Sequence, residues 1–493
     1  MESSENNSGW NLLLCLASLI LVAAAIFLHP VGTSDLFWQI KTGELIWLEG
    51  FHPKVDVFSF TASGTAWIDP GWFSEFLFYY GDRSFGMMGL SFLSLFIGIA
   101  ICLCLFVGLR RFSRSDFRAF LLMLFVMLIG APRFSLLRPE LFGFLFFSVF
   151  VALLSTHESD KVGKLWILVP LQILWTNMHA SAIVGIALIL IFSITRRKLL
   201  MLAASCLISM LINPYTYRAI TYPFEHMGQS YSLSITSDWV SSSLFLPSID
   251  IAAWGCVILL VISALMMIKN RKFPLSNVIV SLIFFVFGMR MSRFMPLAAI
   301  SISFLLARAW GVSRVLDGPR ERRGALAVLL AAAVLLLSLF VGIPYGFRMV
   351  GEKPSVVYGE RVGLGLNARA FPVAAADFIE KLGPRYNMFN DMAYGGYLIY
   401  RLWPTHKVFI DTRTPLYGDE FIREYSNALF DALAFENLVI KYEIGYIIYD
   451  AREIRAPGGP LKFLLNDPRW APAFQSENAI AFIPSPSKIS ELP

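Results

Sequence analysis

Long apolar runs broken by short polar connections dominate the first 343 residues. Runs near the roughly 20 residues that a bilayer requires fall at 10–29, 85–109, 118–132, 139–156, 165–178, 181–195, 199–213, 250–268, 274–290, 294–312 and 324–343. The pattern predicts about eleven membrane-spanning helices. Alternate connections are basic: Arg110, Arg111, Arg114 and Arg118; Lys161 and Lys164; Arg196, Arg197 and Lys198; Lys269, Arg271 and Lys272; Arg314, Arg320, Arg322 and Arg323. Excess Lys and Arg mark cytoplasmic loops. This places the N-terminus in the cytoplasm and residues 30–84 and 344–493 outside it.

Beyond residue 343 the pattern changes, with apolar runs of strand length alternating with helical ones. Ala374–Leu382, Phe421–Leu433 and Glu436–Tyr442 read as helices, and Asn387–Phe389, Val408–Ile410 and Tyr446–Tyr449 as strands. That alternation predicts a small α/β domain with a partly parallel sheet. The expected organisation is a membrane domain over 1–343 with an outer loop of short helices at 30–84, a linker over 344–368, and an extracytoplasmic α/β domain over 369–493. The tail from Pro484 reads as disordered.

Composition supports this picture. The 493 residues are 56% hydrophobic and 15% charged, with a mean hydropathy of +0.62; soluble domains carry about 25% charged residues. The net charge of +6 sits in short loops, which is a topology signal rather than a nucleic-acid footprint. Cys15, Cys102, Cys104, Cys206 and Cys256 all lie in apolar runs without metal-ligand spacing, as packing residues do. Met1–Trp10 lacks the basic start of a cleaved signal peptide, so the first run reads as a retained helix.

Several middle runs are short, Ala119–Ala131 and Leu199–Ile212 among them. Their polar ends would sit below the outer interface: Arg133 and Arg138, Asn177 and His179, Asn213, Arg290 and Arg293. Polar groups at that depth persist when they are buried in protein or line a wet cavity. A cavity open to the outer face accounts for all of them.

The outer loop is dense in acids and tryptophans: Ser34-Asp35-Leu36-Phe37-Trp38-Gln39, then Gly43-Glu44, His52-Pro53, Asp56-Val57-Phe58-Ser59 and Trp67-Ile68-Asp69. An acid at the mouth of a span is costly unless it does chemistry or lines a route. Two further stretches stand out. One is Trp175-Thr176-Asn177-Met178-His179 with Asn213-Pro214-Tyr215. The other is Phe389-Asn390-Asp391, Gly395-Gly396-Tyr397-Leu398 and Val408-Phe409-Ile410-Asp411-Thr412-Arg413.

With these stretches the chain resembles, over nearly its full length, a bacterial group of polytopic membrane proteins related to the GT-C glycosyltransferases. The resemblance implies an enzyme of the bacterial plasma membrane that moves a sugar from a polyprenyl-phosphate donor to a glycan, lipid or protein acceptor outside the cytoplasm. It departs at Gln39, where the group often has His, and at Pro70-Gly71, where it often has His-Glu; no role is carried over to those positions.

Within that expectation Asp35 is the candidate general base for the acceptor hydroxyl. It could instead hold a divalent cation (Mg or Mn), or cap a helix over Leu36–Trp47. Asp69 is the second catalytic candidate. Arg133, Arg138, Arg290 and Arg293, with His179, are candidates for the donor phosphate, since guanidinium forks match phosphate oxygens; snorkelling is the alternative. Glu44, Asp56, Glu75, Asn177, Asn213, Asp238 and Trp239 are candidate substrate contacts. Gly395-Gly396 lacks both a G-x-G-x-x-G and a P-loop lysine and reads as a tight approach before a helix. For Asp411 and Arg413 a structural ion pair is favoured over acceptor binding. Competing functions are a glycan ligase or polymerase with a diphosphate-linked donor, a transporter, and a non-catalytic assembly protein. No inverted repeat supports transport.

Overall fold

The computed structural model describes all residues except 1, 51, 157–162, 228–230, 232–250, 311–319, 341–343, 351–352, 359–360, 385 and 486–493. The chain divides into two compact units. One comprises Met1–Val31, Phe85–Thr221 and Thr236–Gly365; the other comprises Gly32–Ser84, Tyr222–Ile235 and Leu366–Pro493.

The first unit is helical, and each apolar run read from the sequence carries a helix. These are Glu2–Phe27, the later part of Trp72–Ser113, Asp116–Phe134, Glu140–Thr156, Leu168–Met178, Ile183–Ser193, Leu199–Ser209, Ile251–Asn270, Leu275–Arg290, Met295–Trp310 and Arg320–Phe340. By length and composition, four described helices can cross a membrane: Trp72–Ser113, Asp116–Phe134, Ile251–Asn270 and Ser292–Trp310. Met295–Trp310 is buried on nearly every side, as expected of an apolar helix at the centre of a bundle. Ile251–Asn270 buries only Ala253, Cys256, Ser263 and Met267. Small residues at helical spacing let helices approach closely, and Ile251, Ile258, Val261, Leu265 and Ile268 are exposed. Gly98 admits the Phe27 ring and Gly108 the Phe304 ring. Polar groups on the basic connections tie helices together: Asn277 donates to Ser155 at 2.8 Å, and Asn270 to the Ala309 carbonyl at 2.7 Å. The segment expected as a linker carries an antiparallel hairpin, β1 (Pro344–Val350) with β2 (Lys353–Tyr358).

The second unit joins the outer loop to the C-terminal segment. Its sheet has the order β3-β4-β6-β5, with β3 at Asn387–Asn390, β4 at Ile444–Asp450, β5 at Trp470–Gln475 and β6 at Ala479–Pro484. β3 and β4 are parallel, pairing Phe389 with Ile447, and the other pairs are antiparallel. The sheet is thus partly parallel, as expected. Phe389 is its hub, with ring contacts to Phe409 at 4.9 Å, Phe435 at 5.1 Å and Tyr425 at 5.5 Å.

Two local readings are corrected. Val408–Ile410 is not a strand of this sheet: the Asn390 side chain accepts the Phe409 N–H at 2.8 Å and donates to the Ile410 carbonyl at 2.8 Å. A side chain thereby replaces the ladder on one flank. On the other flank Val408 bridges Ser59 of the outer loop. Gly395-Gly396 lies inside the helix Met392–Leu402, not before it. A Cβ at Gly395 would strike the Ile410 carbonyl, and one at Gly396 the Ser34 carbonyl.

Candidate functional site

In the second unit the helix Ser34–Glu49 begins with N-cap Thr33 and ends at Gly50, whose φ of 65° and N–H bond to the Ile46 carbonyl close it. Asp35 therefore occupies the first turn, half-buried, and is not the cap. An acid there is favoured by the positive end of the helix dipole. Phe37 packs on Phe371 and Tyr397 at 4.6 and 5.1 Å, which fixes the helix on Met392–Leu402.

The loop after it forms a short hairpin. Asp56 N–H bonds to the Thr65 carbonyl at 2.9 Å, Trp67 N–H to the Lys54 carbonyl at 2.8 Å, and Gly64 turns the chain at φ 79°. The Asp56 carboxylate folds back on its own backbone, accepting Phe58 N–H at 3.2 Å, Ser59 N–H at 3.0 Å and Ser59 Oγ–H at 2.6 Å. Its other partner is Arg413, at 2.8 Å. Arg413 also grips Asp411, through Nε at 2.9 Å and Nη2 at 2.7 Å, while Tyr417 donates to Asp411 at 2.8 Å. The guanidinium lies 4.6 Å from the Trp67 ring, 5.2 Å from Phe58 and 5.7 Å from Trp38. Burial opposes its charge, but the two carboxylates outweigh that and push its proton affinity further up. Asp56 and Arg413 thus clamp the hairpin. Four more bonds reinforce it: Val408 N–H to the Phe58 carbonyl and Phe60 N–H to the Val408 carbonyl, both at 3.2 Å, the Thr61 hydroxyl to the Phe409 carbonyl at 2.5 Å, and Trp403 Nε1 to the Val57 carbonyl at 3.1 Å.

Past the hairpin, Asp69 accepts the Gly71 N–H at 2.9 Å through Oδ1, and its Oδ2 lies 3.5 Å from His52 Nε2. Glu75, on the first turns of Trp72–Ser113 and ahead of the break at Gly86, is 0% exposed. Burial would raise the Asp69 carboxyl, but hydrogen bonds with His52 and Glu75, the His52 charge and the Gly71 N–H hold it below the usual carboxylate range. Glu75 is driven well above that range by burial and then by the Asp69 charge. Glu44 is spent on a 2.6 Å bridge to Lys41 at the helix surface.

In the first unit Arg293 Nη2 pairs with Glu140 Oε1 at 3.3 Å, two residues after Arg138. His179 sits beside them. Trp175 Nε1 donates to Ser181 Oγ at 3.0 Å, which donates to His179 Nδ1 at 2.7 Å, and Glu140 and Arg293 are charged neighbours of that ring. Arg293 and His179 are therefore brought together. Arg133 is in the last turn of Asp116–Phe134, and Arg290 is exposed at the end of Leu275–Arg290. Asn177 ties its helix to the Ile212 carbonyl at 2.8 Å. Asn213 shapes the turn after Leu199–Ser209, accepting Tyr215 N–H at 2.7 Å. Asp238 and Trp239 lie outside the described residues. Among the described residues no group of three His, Cys, Asp or Glu is arranged to hold a metal ion.

The sequence reading named His52 only as part of a motif and favoured a structural role for Arg413. The signal it held was spacing: acids at Asp56, Asp69 and Asp411 inside loops rich in aromatic residues.

The fold, a helical bundle with an α/β unit that takes in residues 32–84, is shared with solved structures. The Archaeoglobus fulgidus oligosaccharyltransferase in its apo form superposes with a TM-score of 0.53 at 12% identity, covering 97% of this chain and 74% of that one. The same organism's oligosaccharyltransferase AglB, in complex with an inhibitory peptide and a dolichol-phosphate, gives 0.54 at 12% identity with the same coverage. ArnT from Cupriavidus metallidurans bound to undecaprenyl phosphate gives 0.51 at 12% identity, covering 97% of this chain and 99% of that one. No family model matches the chain, and no curated protein does.

Proposed function

We propose that the protein is a membrane glycosyltransferase that moves a sugar from a polyprenyl-phosphate donor to an acceptor on the extracytoplasmic face. The observation that carries this reading is the fold likeness over 97% of the chain to proteins solved with dolichol-phosphate and with undecaprenyl phosphate. The basic connections support a cytoplasmic N-terminus, with the outer loop and C-terminal segment on the other side of the membrane.

In the proposed reaction the acceptor oxygen forms a bond to the sugar's anomeric carbon. The bond from that carbon to the phosphate oxygen breaks, and polyprenyl phosphate leaves with the electron pair. The acceptor's proton passes to the Asp35 carboxylate. Asp69 is the second carboxylate, orienting an acceptor hydroxyl. Arg293, with Arg138 and His179, offers cationic and donor groups for the phosphate; Arg133 and Arg290 are weaker candidates on their placement.

The test is consumption of polyprenyl-phosphate sugars by the purified full chain, with Asp35→Asn alongside. Wild type should consume one donor of the panel and the variant none, at equal expression. Undiminished turnover in Asp35→Asn would remove Asp35 from the mechanism, and no consumption of any donor would remove the reading.

A further inference from the structure

The hydrogen bonds around His179, in the first unit, decide which ring nitrogen carries its proton. The helix Leu168–Met178 ends at His179, whose extended backbone (φ −163°, ψ 142°) leads into the single turn Ala180–Ala182. That turn sends the Ser181 N–H back to His179 Nδ1 at 3.2 Å, and the Ser181 hydroxyl lies 2.7 Å from the same nitrogen. One helical turn before His179, Trp175 Nε1–H points at Ser181 Oγ from 3.0 Å. An indole N–H and a backbone N–H can only donate. The indole fills an acceptor position on Oγ and leaves the hydroxyl proton for Nδ1; the backbone N–H needs a lone pair at Nδ1. Two donors thus converge on Nδ1, and the ring proton belongs on Nε2. The surroundings are tight. Trp175 is 1% exposed, with Phe146 at 5.8 Å and Phe150 at 5.2 Å. On the same helix face as those two rings, a Cβ at Gly143 would come within 2.7 Å of Ser181 Oγ and 3.1 Å of His179 Nδ1. Only glycine lets that helix back the pair. Glu140, one turn before Gly143, holds Arg293 at 3.3 Å, which brings a guanidinium to the same end of the helix. His179 is half-buried, and its Nε2 makes no hydrogen bond among the described residues.

We propose that Ser181 and Trp175 are positioning residues that lock His179 as a neutral imidazole with its proton on Nε2, and that this N–H is a fixed donor to a phosphate oxygen of the lipid carrier. The second half rests on the glycosyltransferase reading; the lock does not. The lock also limits what His179 can do. Nδ1 is occupied by two donors and cannot take a proton from an acceptor hydroxyl, and Nε2 already carries one. His179 therefore binds and orients, and leaves the proton transfer to a carboxylate.

Nitrogen NMR of the full chain in detergent, with isotope-labelled histidine, decides the first half. The His179 lines are those that vanish in His179→Gln. At neutral pH wild type should show a protonated Nε2 and a bare, hydrogen-bonded Nδ1. Ser181→Ala removes the hydroxyl and keeps the backbone N–H, so the Nδ1 line should move toward its unbonded position. A protonated Nδ1 in wild type, or an unmoved Nδ1 line in Ser181→Ala, would overturn the lock whether or not the chain binds any lipid. Binding of undecaprenyl phosphate, with undecaprenol as the control, decides the second half. His179→Leu should weaken phosphate-dependent binding by roughly tenfold, the scale of a hydrogen bond to a charged group. His179→Gln puts an amide N–H near the place of Nε2 without acid–base capacity, and should recover most of that loss. Equal losses in the Leu and Gln variants, or no loss in either, would overturn the donor role alone. Absence of phosphate-dependent binding in wild type would overturn the donor role and count against the glycosyltransferase reading as well.

Discussion

Replacing Arg413 by Met keeps an unbranched side chain, shorter by about two bonds, and removes its charge. Asp56 and Asp411 then stay buried without the guanidinium that bonds them at 2.8 and 2.7 Å. Removing one member of a buried pair costs about 3–5 kcal/mol. Two acids depend on this guanidinium and three rings stack on it, so the upper half of that range is expected. Free energy converts at about 1.4 kcal/mol per tenfold, so even 3 kcal/mol makes local opening roughly a hundredfold more frequent. Native-state hydrogen exchange of the full chain reads this directly. The amides to follow are Phe58 and Ser59, bonded to Asp56, and Phe60 and Val408, which stitch the hairpin to the C-terminal segment. They should exchange about a hundredfold faster in Arg413→Met. The double variant with Asp56→Asn should recover part of the loss, giving a coupling of at least about 1 kcal/mol. Acceleration below about fivefold, the level of an exposed pair, would refute the clamp.

Two further outcomes are expected. Arg293→Gln should weaken the affinity for a polyprenyl phosphate by about tenfold, the scale of one charge-assisted hydrogen bond; unchanged binding would leave Arg293 a structural partner of Glu140. Asp391 caps Met392–Leu402 by accepting Ala393 N–H at 2.8 Å, and burial, then the charges of Glu453 and Asp450, push its carboxyl up to about 7. The folded protein therefore holds a proton that the unfolded chain releases near pH 4. Stability should fall as pH rises from about 4 to about 7. Asp391→Asn, which caps as well, should flatten that slope in thermal unfolding; parallel slopes would exclude Asp391 as its source.

The positions of the bundle helices were legible because membrane burial writes long apolar runs with basic punctuation. The pair β3 and β4 was legible because a fully buried strand such as Ile444–Asp450 is apolar throughout. Two things escaped. β5 and β6 carry Pro472, charged neighbours and short runs, so they resemble loops until they pair. The partnership of the outer loop with the C-terminal segment escaped for a different reason. Asp56 and Arg413 each carry an ordinary polar signal, and local periodicity says nothing about which distant charge will meet it. Gly395 showed the same blind spot: the sequence marked a close approach, but only the fold names Ile410 and Asp411 as what approaches.

The hairpin's partners arrive late. Thr61 and Phe409 are 348 positions apart along the chain. Ribosomes add about 5–20 residues per second, so the outer loop waits roughly 20–70 s after its own synthesis before its anchor exists. Through that interval Trp38, Trp67 and Phe58 have only one another, without the Arg413 guanidinium that they later surround. Truncation anywhere before residue 413 removes the guanidinium that bonds Asp56 and leaves that carboxylate without it for good.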